Sequence, residues 1–280
     1  MNHAFAPIVF GLAAALSWGS GDFNGGLASR RVNASRVVVA AYTVGLVLLI
    51  ILALIWREPL PAPIDVVWGA LAGLTGASGL IAFYTALAKG RMGIVAPVSA
   101  VLTAAIPVLF SIFTQGLPNP YQLGGFLLAL LAIWLISRPE EQASGRPEGL
   151  GLALLAGCGF GLFFTLISRI HPDATFWPLA VARCTSILFL LIILSARRQP
   201  ILPGVTVVPL IVLAGVLDAL GNAFFVLAAH TGRLDVAAIL SSLYPATTVL
   251  LAAFMLRERV TRIQAIGILF ALAAVPLISV

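Results

Sequence analysis

Apolar runs of about twenty residues, separated by short polar or charged breaks, recur along the whole of this 280-residue chain. They are expected to form helices at 5–28, 36–56, 66–88, 93–115, 121–137, 149–169, 176–195, 204–230, 234–256 and 263–280. Barrel strands would show segments of roughly ten residues with alternating polarity, whereas runs beyond about 18 apolar residues indicate spanning helices. At about 1.5 Å per residue most of the ten suffice for a ~30 Å hydrocarbon core. The run 121–137 is short, and 204–230 is long enough to tilt. The expected fold class is therefore an all-α integral membrane protein with ten transmembrane helices. Connections of a handful of residues leave no room for a soluble domain.

One polar interval stands apart, at residues 138–148 near the midpoint, where Arg138, Glu140, Glu141, Arg146 and Glu148 cluster with two prolines. The two sides of it resemble each other. Gly11 to Gly19 (GLAAALSWG) lines up with Gly151 to Gly159 (GLALLAGCG), and Tyr121 to Gly125 (YQLGG) with Ile263 to Gly267 (IQAIG). The expected organisation is a first five-helix repeat over 1–137, a linker over 138–148 and a second five-helix repeat over 149–280. Five spans is an odd number, so the second half enters the membrane from the opposite side and the repeats are inverted. In secondary transporters built this way the substrate site lies at the repeat interface near the midplane.

Composition agrees with burial in lipid. The chain is 61% apolar and only 9% charged, against roughly 25% charged residues in soluble domains. The net charge of +6 does not signal nucleic acid, because the sixteen basic residues are scattered between apolar runs. Twelve of them fall in the connections after spans 1, 3, 5, 7 and 9, and only Arg57, Arg169 and Arg233 lie on the other side, with Arg183 inside a span. That asymmetry places the odd-numbered connections and the linker in the cytoplasm, with both termini outside. Cys158 and Cys184 sit within apolar runs, where a thiol packs as a small hydrophobe. The first run follows no basic stretch and contains Asp22 and Asn24, unlike a cleavable signal peptide.

A carboxylate within a spanning helix is costly and marks a functional candidate. Asp22 and Asp218 are the two. Asp218 and Asn222, four apart, share a helical face, while Asp22 has Asn24 beside it and Trp18 one turn earlier. The chemistry expected of them is a proton site or a contact for a substrate amine; a polar clamp between helices is the plainer alternative. Arg183 is expected to snorkel outward from near its span end, and Asp235 to cap the helix it begins. Trp18, Tyr84, Phe164 and Tyr244 are candidate cavity-lining aromatics, the tyrosines because a hydroxyl in hydrocarbon wants a partner. Pro107 and Pro245 lie in corresponding spans, where each is expected to kink its helix and free the carbonyl of Thr103 or Ser241. A freed carbonyl at that depth needs protein, water or ligand, so Thr103, Ser241 and Tyr244 are expected beside a hydrated cavity. His3, His171 and His230 have no metal-ligand or catalytic spacing, and no phosphate-binding loop is present. Neither a metal nor a cofactor is expected, and an ATP-driven pump or an enzyme is disfavoured.

The stretch Ala238 to Pro245 (AILSSLYP), with Leu250 to Leu256, Glu258 and Gln264 to Gly267, resembles the signature of the drug/metabolite transporter superfamily, EamA type. Tyr84 to Leu87, Gly93, Ala96-Pro97 and Pro107 form its counterpart in the first half, and Arg183 resembles an arginine common in the second helix of each repeat. Two positions depart from the pattern: Gly116 aligns with Glu258, and Ala41 with Arg183. The resemblance implies a ten-helix exporter of small metabolites, often amino acids, with the aromatic amino-acid exporters as one branch. The expected partners are the lipid bilayer of the cell (inner) membrane and a small-molecule substrate, with proton coupling and a monomeric state. A gated channel for small solutes is the alternative.

Overall fold

The fold is taken from a computed structural model that describes residues 5–89, 92–137, 149–196, 198 and 205–279. These are helical almost throughout: α1 (Ala6–Ser29), α2 (Ala34–Ile55), α3 (Pro63–Lys89), α4 (Met92–Gln115), α5 (Pro120–Ile136), α6 (Leu150–Ile167), α7 (Phe176–Ala196), α8 (Val208–Thr231), α9 (Leu234–Ser241), α10 (Tyr244–Leu256) and α11 (Arg262–Ile278). A short 3₁₀ turn at Val205–Val207 leads into α8. The linker expected at 138–148 lies outside the described residues. Among the described residues seven segments are long and apolar enough to cross a membrane: those of α2, α3, α4, α6, α7 and α8, and the stretch 234–256 that holds α9 and α10. The 17-residue helices α5 and α11 are apolar but shorter. The 24-residue α1 falls short in apolarity, because Ser17, Ser20, Asp22 and Asn24 interrupt it. Its polar character fits its position, since α8, α9 and α10 all pack on it. Lipid-facing residues such as Phe113 and Phe254 are exposed, as a helix bundle in hydrocarbon allows.

Local signals end the helices in matched pairs. Capping boxes open both α5 and α11: Asn119 Oδ1 accepts from Gln122 N at 2.8 Å, and Thr261 Oγ1 accepts from Gln264 N at 3.2 Å, each glutamine returning a bond to its cap. Arg57 beyond α2 and Arg198 beyond α7 both take the left-handed conformation, as do Gly116 after α4 and Arg257 after α10. The structural partner of Gly116 is thus Arg257, one residue before the Glu258 that sequence alignment suggests.

Packing repeats the same correspondence. Helix α1 lies on α8 as α6 lies on α3, and α6 lies on α4 as α1 lies on α9 and α10. Helix α2 meets α8 as α7 meets α3, while α2 pairs with α7 and α5 with α11. Each half therefore builds its core from helices of the other. Loops gather at two ends. At one, Arg30 reaches Glu258 at 3.2 Å. At the other, the Glu58 carboxylate accepts from the backbone N–H groups of Phe176 and Trp177 at the start of α7, and Asp65 accepts from His171 N.

The expected tenth-span pattern departs at one place. The run 234–256 is two helices joined at Ser242–Leu243, and Pro245 stands in the first turn of α10 rather than inside a kinked helix. A first-turn proline forfeits no intrahelical bond, because its missing N–H would have had no partner there. Helix α4, by contrast, runs unbroken through Pro97 and Pro107. All eight residues of α9 are buried, and none of α10 is. Asp235 does not cap α9. Helix α9 begins one residue earlier, and Gln115 Oε1 accepts from Leu234 N at 3.1 Å. Fully buried Asp235 instead pairs with Arg233 at 2.7 Å, and Arg233 also donates to the carbonyl of Gly116 at 2.7 Å. This knot ties α9 to the end of α4.

Candidate functional site

Glycines let α2 and α8 approach closely enough to bring charged groups together. A Cβ at Gly215 would fall on the carbonyl oxygen of Ala41, and one at Gly45 would meet Gly215 O at 3.1 Å and lie 3.8 Å from Arg183 Nε. Beside this contact Arg183 on α7 donates to Asp218 on α8, and its guanidinium lies 4.2 Å from the ring centre of Tyr42 on α2. The Arg183 side chain is 7% exposed and that of Asp218 is 31% exposed. Burial replaces the expected snorkelling: Arg183 points inward because Asp218 and the Tyr42 face supply partners that lipid headgroups would otherwise provide.

Asp22 completes the group. It is exposed while its neighbours Gly21 and Phe23 are buried. Its carboxylate lies within charge range of Asp218, Tyr42 and Tyr244. Both expected intramembrane carboxylates thus come to one place.

Other candidates have different surroundings. Trp18 and Phe164 are core residues, 8% and 6% exposed. Their rings stack at 5.1 Å, Phe225 lies 4.6 Å from Phe164, and Gly221 opposite leaves room for the indole. Each such pair contributes about 0.5–1.5 kcal/mol beyond area burial, so the cluster is a seam joining α1, α6 and α8. Asn24 and Asn222 spend their amides on their own helices, donating to Ser20 O at 2.8 Å and Asp218 O at 2.7 Å. Thr103 is buried with its hydroxyl on Ser99 O. Ser241 is fully buried with its hydroxyl 3.4 Å from Gly11 O. Neither Thr103 nor Ser241 opens into a cavity here, because glycines on α6 and α1 let those helices close over them. Tyr244, half-buried at the start of α10, lies within charge range of Asp22. Pro107 is buried within α4. The Tyr84 side chain lies outside the described residues.

Tyr42 went unnoticed in the sequence, yet a signal exists. It adjoins Ala41, the position aligned with Arg183, so the arginine missing from one half is replaced by a ring that receives the other half's arginine.

The comparisons bear on this arrangement. An uncharacterized protein of Methanocaldococcus jannaschii is 29% identical over 131 residues, which is 47% of this chain and 94% of that protein. A crystal structure at 18% identity covers 97% of both chains with a TM-score of 0.77, so the fold is shared. Residues 5–138 and 147–280 each match the EamA-like transporter family. A helical multi-pass chain with a charged constellation inside it accords with that match, and the chain belongs to the EamA-like transporter family of membrane proteins that carry small solutes.

Proposed function

We propose that the protein is a secondary active transporter that exports amino acids or related amphipathic metabolites by alternating access. The carrying observation is the Arg183–Asp218 pair with Asp22 beside it, enclosed where helices of both halves meet. Charged groups at such depth are costly unless they serve solute or proton movement. The reciprocal packing of the halves supports two inverted five-helix repeats, and the archaeal relative, close to half this chain in length, supports the half as a unit. In this reading ten segments span the inner membrane, α9 and α10 counting as one, with both termini outside. The fully buried α9 is the fixed part and the unburied α10 the moving part, bending at Ser242–Leu243. The working unit is a monomer, and Asp22 or Asp218 couples transport to protons. The aromatic amino-acid exporters are the branch whose substrates best suit a site with two tyrosines.

Purified protein in liposomes tests this. Saturable uptake of labelled amino acids, accelerated by unlabelled solute on the opposite side, is expected of a carrier. Flux that neither saturates nor responds to opposite-side solute would indicate a channel. Accumulation driven by a pH gradient should vanish in Asp218→Asn while passive exchange persists; unchanged accumulation in both Asp218→Asn and Asp22→Asn removes proton coupling through these residues.

A further inference from the structure

We propose that the site selects its solute by a protonated amine held at Asp22, and that the solute's carboxylate, where it has one, contributes little. This rests on the transport reading above. A site for amino acids is ordinarily pictured with an arginine for the carboxylate, and among the described residues Arg183, the eighth residue of α7, is the arginine furthest inside a helix. Its charge is already engaged. Asp218 takes one end, Tyr42 covers the face, and only 7% of the side chain is accessible. To bind a solute carboxylate it would first have to release Asp218.

The acidic side is what opens. Asp218 is 31% exposed even while paired, and Asp22 is exposed between two buried residues. Among the described residues no basic side chain bonds to Asp22. The next arginine along α1 is Arg30, two turns further on, roughly 12 Å by helical rise, and it is held by Glu258. Arg233 is tied to Asp235 and Gly116. The groups within charge range of Asp22 are Asp218 on α8, Tyr42 on α2 and Tyr244 on α10, with Arg183 of α7 paired to Asp218. Two carboxylates beside one arginine leave the Asp22 carboxyl without a cationic partner among the described residues. The complement is a single positive charge with N–H donors, and an ammonium group supplies both. Tyr244 offers a ring and a hydroxyl to the apolar remainder.

Two sets of probes matched in skeleton test this on purified full-length protein by calorimetric titration. One set is phenethylamine, phenylalanine and 3-phenylpropionate; the other is isoamylamine, leucine and 4-methylpentanoate. In at least one set the amine is expected to bind as well as the amino acid, and the acid lacking the amine at least about tenfold more weakly, or 1.4 kcal/mol. Asp22→Asn should weaken amine binding by a similar factor at unchanged melting temperature, and Asp22→Glu should retain most of it. If Asp22→Asn does not fold, the affinity order in the parent and Asp22→Glu still decide. Acids binding as tightly as amines, amino acids binding tenfold tighter than their amines, or amine affinity untouched in Asp22→Asn would each overturn the inference. Liposomes that exchange the acids without preference for amines remove this inference and leave the carrier intact. Liposomes that exchange no solute at all remove both.

Discussion

Breaking the Arg183–Asp218 pair from either side should give unequal results, and the inequality follows from chemistry. Asp218→Asn leaves a guanidinium that is 7% exposed and cannot shed its proton. Loss of one partner from a buried pair costs about 3–5 kcal/mol, and the upper part of that range suits this variant. Arg183→Gln strands Asp218 instead. That carboxylate is 31% exposed, water screens it, and it can take up a proton, so about 1.5–3 kcal/mol is expected, including roughly 0.5–1 kcal/mol for the lost contact with the Tyr42 face. The double variant removes both charges together. It should cost less than the sum of the singles, with a coupling of about 2 kcal/mol. Denaturant unfolding in micelles, followed by tryptophan fluorescence, reads these differences as shifts in midpoint at constant slope. Additive singles would show that the pair carries no energy. A milder effect for Asp218→Asn than for Arg183→Gln would refute the argument from burial.

Gly73→Ala should destabilise by about 1–3 kcal/mol, because the new Cβ would fall on the carbonyl oxygen of Ala182, next to Arg183; Gly124→Ala, with open space around it, is the control in the same thermal assay. A periplasmic alkaline phosphatase fused to the C-terminus should be active and a C-terminal green fluorescent protein dark, and the reverse pattern would overturn the orientation read from the arginines. Arg30 and Glu258 are 65% and 51% exposed, so Glu258→Gln should change stability by less than about 1 kcal/mol. It should nonetheless alter the exchange rate in liposomes, since the pair ties the first loop to the end of α10. An unchanged rate would separate this contact from gating.

The helices were legible because each is a long apolar run, and most observed ends lie within a few residues of those expected; the start of α3 at Pro63 and of α8 at Val208 show the scatter. The matched YQLGG and IQAIG segments hold the glutamines that close two capping boxes. Facing was not legible. Arg183 and Asp218 are 35 positions apart, and nothing along the chain states that α7 and α8 turn these residues toward each other. Trp18 and Phe164 were read as lining a cavity because aromatic rings near an aspartate invite that reading. Gly221 decides otherwise by giving the indole a slot in the core. The break at Ser242 was hidden for a related reason. Pro245 signals a disturbance, but whether it kinks a helix or begins one depends on the burial of the preceding turns.

That difference in burial bears on how a near-symmetric bundle acts asymmetrically. Helix α4 holds Pro97, Ser99, Thr103, Ala104, Pro107 and Ser111 in buried positions along its length, so bending it would uncover polar groups at several levels. The α9–α10 segment concentrates burial in its first eight residues and leaves the following helix unburied, held to α1 by side-chain and backbone contacts. Among these are Thr248 Oγ1 donating to Gly19 O at 3.0 Å and the close approach of Gly19 to Thr247. At the joint, the Ser242 hydroxyl is buried without a partner, a cost of about 1–3 kcal/mol that a second arrangement of the joint can relieve. Asp22 lies three residues beyond Gly19 on α1 and within charge range of Tyr244 at the start of α10. In the proposed transporter, a solute bound between Asp22 and Tyr244 would touch both α1 and α10, the helix with no buried residue. In the proposed transport cycle, the carboxylate that binds the solute and the joint at which α10 bends lie close together.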